Sequence, residues 1–229
     1  MKNTYEILLS NGIQPSLLTE NDVTRFGLFC RQAEEGAAEF DTFDAKCREY
    51  MSKTDAEFVE TVSKAVAILK SATDLLEGVC STVSDSLFSA FSSDSGELWK
   101  KHCKTAVAIE AMASELSAIP PLFHPNNGEI HRLSTELLLR KIALSEYSKS
   151  GEHLKRFKLL SVELKNFENE QEARFSKAAE LIQTAVKKMS ELITETESAA
   201  QSGSMQRFDS AVRGQMTVLH HISHVFTEI

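Results

Sequence analysis

Three histidines near the end of the chain, His220, His221 and His224, offer the first chemistry to weigh. His220 and His224 stand four apart, on one face of a helix, and two imidazoles so placed can hold a metal ion. No third ligand follows at a suitable spacing and no paired Glu accompanies them, so they read as surface or interface histidines, with no metal and no cofactor expected. The cysteines, Cys30, Cys47, Cys80 and Cys103, are scattered singly among apolar positions without a Cys-x-x-Cys pair. That usage fits reduced thiols packed as small hydrophobes in a cytoplasmic protein. Gly-rich phosphate loops, Gly-x-Ser-x-Gly elbows and kinase signatures are all missing from the sequence. The carboxylates fall on the polar sides of helices, where solvation or ion pairing is the default. No residue is assigned a catalytic role, and the chain is not expected to be an enzyme.

Charge is more informative. The net charge is −8, which excludes a sweeping basic footprint for nucleic acid. Residues 101–229 are balanced, with 16 basic and 16 acidic side chains, yet Arg140, Lys141, Lys149, Lys155, Arg156 and Lys158 face only Glu146 and Glu152 within residues 140–158. This is the one concentrated basic segment. Near an anionic leaflet each Lys or Arg contributes about 1 kcal/mol, screened over a Debye length. Two such segments on one rigid dimer would bind more tightly by avidity.

The elements that carry these residues are long helices. No proline occurs between Ser16 and Ile119 or between Asn126 and Ile229, and apolar residues recur at spacings of three and four through both stretches. A 42% apolar content supports a buried core, and 9 Gly and 4 Pro disfavour a loop-rich or all-β fold. The first stripe runs from Val23, Phe26 and Cys30 through Phe58, Leu69 and Leu76 to Leu87, predicting one helix over about residues 19–91 opened by Thr19. Ser92–Gly96 reads as a turn, with Asp94 and Glu97 spaced as a reciprocal cap. A second helix follows over about 96–148, kinked or looped at 120–127 by Pro120, Pro121 and Pro125. The last covers about 152–229, with a bend near Gly203 across which the stripe nearly keeps phase. Gly96 to Ser150 and Ser150 to Ser204 are each 54 residues, so a hairpin at Ser150 would lay the Gly203 bend beside the first turn. The rival parse makes 120–127 the main turn. Under the Ser150 hairpin, residues 205–229 would overhang and need a second copy to cover them. Residues 1–18 form an N-terminal extension whose apolar patch, Ile7-Leu8-Leu9, carries too little positive charge for a membrane-surface helix. No run approaches the ~20 apolar residues of a membrane span, and no signal peptide is visible.

Three places resemble the BAR domain superfamily (amphiphysin, endophilin and sorting-nexin types): the texture of Phe40–Met51 followed by Val62, Val66 and Leu69; Leu98-Trp99-Lys100-Lys101-His102 after a short polar turn; and the basic segment leading into Glu163–Glu170. The resemblance covers roughly residues 19–229. It implies an all-α fold of three long, kinked, antiparallel helices forming an elongated coiled coil that dimerises through a six-helix centre. It further implies a cytoplasmic protein, peripherally bound to membranes, that senses or scaffolds curvature in endocytosis or vesicle traffic. Contacts to anionic lipid, a phosphoinositide or phosphatidylserine, would fall on Lys149, Lys155, Arg156 and Lys158, with Arg140 and Lys141 next along. The competing expectation is a helical protein-interaction scaffold or adaptor without direct lipid binding, such as a spectrin-like or coiled-coil bundle. Spectrin-like repeats would need turns near residues 40 and 75, where the first stripe passes unbroken and only Gly36 and Gly78 are weak points.

Overall fold

The computed structural model describes residues 3–35, 39–88, 95–120, 127–147 and 151–229. Among them all regular structure is helical: α1 (Thr4–Ser10), a 3₁₀ turn (Pro15–Leu17), α2 (Glu20–Glu35), α3 (Glu39–Phe88), α4 (Ser95–Ser117), α5 (Asn127–Tyr147), α6 (Gly151–Gln201) and α7 (Met205–Phe226). The chain divides into two compact units, Met1–Asp55 with Pro125–Glu172, and Ala56–His124 with Ala173–Ile229. The expected cap at Thr19 is present: its hydroxyl accepts from the Asp22 N–H at 3.2 Å, and the Asp22 carboxylate accepts from the Thr19 N–H at 3.1 Å. Of the other expected turns, Asp94, Pro121, Pro125, Asn126 and Ser148–Ser150 lie outside the described residues.

In the first unit, side-chain pairs fix the helix directions. Arg25 of α2 pairs with Glu136 of α5, and one turn further along both helices the Arg140 guanidinium lies 4.1 Å from the Phe29 ring centroid. α2 and α5 therefore run the same way. α3 runs against α5, because Arg140 also lies over Phe43 at 4.8 Å while Glu136, earlier on α5, acts on Cys47, later on α3. It follows that α2 and α3 are antiparallel. The single helix expected over 19–91 is thus two helices, and the chain reverses between Glu35 and Glu39; residues 36–38 lie outside the described ones. The stripe passes this point without a break because both helices face one core, formed by Phe26, Phe29, Ala33, Phe43, Cys47, Leu133, Leu137, Phe157 and Leu160. α6 runs parallel to α3, pairing Phe43 with Phe157 (6.0 Å between centroids), Arg48 with Glu163 (3.1 Å) and Asp55 with Gln171. α2, α3, α5 and α6 make an up-and-down four-helix bundle, and α1 adds Ile7 and Leu8 to its core.

The second unit repeats the plan with different pieces. Lys101 of α4 donates to the Thr82 carbonyl of α3 at 3.3 Å, and His102 meets Thr196 of α6 at 3.0 Å. Phe58 and Phe175 contact edge to face at 5.3 Å, while Thr82 and Thr196 meet the same turn of α4, so α6 again runs parallel to α3.

Gly203 is a stop followed by a reversal, which corrects the expected bend. Its φ of 66° is left-handed, the Ser204 N–H bonds back to Ala199 O at 3.0 Å, and its own N–H bonds to Ala200 O at 3.1 Å. That pair is a Schellman motif, which ends a helix. α7 then returns antiparallel to α3: Asp209 and Arg213 act on Cys80, while Phe226 shares a cleft with Phe58. Phe208, Val212, Leu219, Ile222 and Phe226 are buried within their own chain. The apolar overhang that called for a second copy is therefore covered.

Candidate functional site

The structure divides the predicted basic segment. Arg140 is only 8% exposed; its Nε and one terminal nitrogen donate to Glu136 at 3.0 and 2.9 Å, and its plane lies against Phe29 and Phe43. Glu136, 5% exposed, also receives Arg25 and Arg132. Arg132 in turn hydrogen-bonds Glu129 and holds that carboxyl below the ordinary range. Arg140 is thus a buried tie between α2, α3 and α5, which corrects its assignment to a lipid-facing surface. Arg156 is exposed but bound to Asp41 at 2.6 Å and Asp44 at 3.4 Å. Lys141 is half-buried and donates to Ser161 Oγ at 3.2 Å. Lys149 lies outside the described residues, while Lys155 and Lys158 are exposed.

Lys155 and Lys158 share the outward face of α6 with two apolar side chains that the sequence reading passed over. Leu159 is 64% exposed and Val162 59%. The signal was available in Leu159-Leu160: adjacent residues point about 100° apart on a helix, and here Leu160 is buried while Leu159 is not. On α5, Leu138 is 41% exposed and stands one turn before Lys141. Lys141 reaches Ser161, the residue before Val162, which places Lys141 beside α6.

A second feature lies in the other unit. Phe58, Val59, Val62 and Val66 of α3, with Arg174 of α6 and Phe226 and Ile229 at the end of α7, line an open cleft of about 390 Å³. The Arg174 guanidinium lies over the Phe58 ring at 4.3 Å, and Val59 is 55% exposed at the rim. Arg174 is the one ionisable side chain in this lining. Such a recess can hold an apolar group.

Elsewhere, burial governs the cysteines of the core. Burial, with Glu146 adding to it, pushes the Cys30 thiol up to about 11. Burial and then Asp44 and Glu136 push Cys47 up to about 11, and burial also raises Cys80. His220, His221 and His224 are exposed, and the described residues contain no group of three His, Cys, Asp or Glu side chains placed to hold a metal. Trp99 is exposed beside His102. No described helix is long and apolar enough to cross a membrane. Comparison of the chain with protein-family models, with curated proteins and with solved structures returns no match.

Proposed function

We propose that this chain is a helical interaction scaffold, acting by binding protein partners on its bundle surfaces. One observation carries the reading: the α3–α7 cleft is a recess of about 390 Å³ with an apolar lining and a single ionisable side chain. Pockets of that size and lining take an apolar anchor from a partner, and such anchors dominate interface energies. Placing a charge on its rim tests the reading. Val59→Glu should abolish retention of at least one partner that wild-type protein captures, while Val107→Glu, at another exposed position of the same unit, retains it. Equal capture by both variants overturns the reading.

Binding to anionic membranes, as a BAR-type protein does, is the second reading. Lys155, Lys158, Leu159 and Val162 on one face favour it. Against it, Arg140 and Arg156 are neutralised by carboxylates, and the remaining lysines contribute only about 1 kcal/mol each at a charged leaflet. Co-sedimentation with phosphatidylserine vesicles at low salt separates the two: binding abolished by Lys155→Glu with Lys158→Glu supports the membrane reading.

A further inference from the structure

We infer that the outward α5–α6 face of the first unit is a docking strip for an acidic amphipathic helix of a partner protein. The inference rests on the scaffold reading and supplies a partner class for a surface separate from the cleft. Lys155, Lys158, Leu159 and Val162 are spaced i, i+3, i+4 and i+7, the repeat with which one helix presents a continuous stripe to another. Lys141 of α5, bonded to Ser161, stands beside α6 near the stripe. None of these apolar side chains is required by the bundle's core, which Phe157, Leu160 and Leu164 of the same helix already fill.

Charge selects among the occupants. A second copy apposed across a two-fold axis would set these lysines against their own images, which is repulsive. A planar anionic leaflet would have to accept a chain whose net charge is −8. A helix with a leucine stripe flanked by Glu or Asp touches only the strip, buries Leu159 and Val162, and places a carboxylate within reach of each lysine. The nearest carboxylate on the α3 side of the strip, Glu163, is held by Arg48 at 3.1 Å, so it is drawn away from an incoming acid.

The test is fluorescence anisotropy with the full chain and three peptides of about 18 residues: a leucine-striped helix with Glu flanks, its scramble, and a version with Lys for Glu. The Glu peptide should bind, with affinity falling at least about tenfold between roughly 0.05 M and 0.5 M salt. Leu159→Glu with Val162→Glu, and separately Lys155→Glu with Lys158→Glu, should each weaken it at least about tenfold while circular dichroism stays unchanged. Val107→Glu should leave it unaffected. Equal binding of the scrambled or Lys peptide, or indifference to both variant pairs, overturns the inference. So does phosphatidylserine vesicle binding without peptide binding, or self-association abolished by Leu159→Glu. The peptide and self-association outcomes leave the scaffold reading standing, since that depends on Val59→Glu, whereas vesicle binding favours the membrane reading.

Discussion

Glu136 and Arg140 face each other one turn apart on α5, joined by hydrogen bonds of 2.9 and 3.0 Å in the interior of the first bundle. Removing one partner of a buried pair strands the other, and here it also strips the cation from Phe29 and Phe43. Arg25 and Arg132 still reach Glu136, which moderates the loss. Arg140→Ala should therefore destabilise the chain by about 2–3 kcal/mol in urea denaturation. Lys155→Ala with Lys158→Ala, both exposed, should stay within about 0.5 kcal/mol of wild type. An Arg140→Ala variant that keeps full stability would show that the buried tie is not formed.

The second bundle contains a quieter polar pair. Thr196 Oγ1 lies 2.8 Å from the Leu192 carbonyl, and that bond takes the hydroxyl's one proton. With the hydroxyl proton on that carbonyl, the 3.0 Å contact with His102 Nδ1 is made by the ring N–H donating to Thr196 Oγ1. Thr196→Val leaves that buried N–H without an acceptor and should cost about 1–2 kcal/mol. His102→Phe in the Thr196→Val background should recover part of the loss, because no orphaned donor remains. A double-mutant cycle with no coupling between the two sites would contradict the bond.

Two glycines should respond in opposite directions. Gly203 holds φ at 66° in the turn that starts α7, where any Cβ is strained, so Gly203→Ala should cost roughly 1 kcal/mol or more. Gly78 sits inside α3 with open space around a built Cβ, so Gly78→Ala should gain up to about 1 kcal/mol from helix propensity. Chemical denaturation of both variants checks the signs; a neutral Gly203→Ala would mean that the reversal is not built on a left-handed residue.

Much of the core was readable from spacing: Phe26, Phe58, Leu69 and Leu76 were placed on the first stripe and are buried. Helix continuity was not readable by the same means. Two antiparallel helices sharing a core each keep the three-four repeat, so the stripe runs on through 36–38 and through Gly203 while the chain doubles back. A stripe reports a face, not a direction. Arg140 illustrates the second difficulty. Counted with its basic neighbours it reads as surface, yet it lies in Leu137-Leu138-Leu139-Arg140-Lys141-Ile142-Ala143-Leu144, apolar nearly all round, which marks a central helix. Glu136, four residues earlier, was the available sign of an internal partner.

The thiols give a pH dependence with a definite sign. Cys30 and Cys47 have ordinary values near 9.0 when the chain is unfolded and are raised to about 11 in the folded chain, chiefly by burial. The neutral thiol is therefore the form that folding favours. Their contribution is fully present below pH 9 and declines as the pH rises towards 11, because the unfolded chain then holds fewer protons than the folded one. Urea midpoints should fall over that window, and Cys47→Ala should flatten the fall while lowering the midpoint at neutral pH through the lost packing. The same burial predicts thiol labelling at pH 8 in native conditions: Cys103, which is exposed, should react first, with Cys47 and Cys80 reacting only after unfolding. Rapid labelling of Cys47 in the native protein would mean that α3 does not face α5 at Glu136 and Arg140.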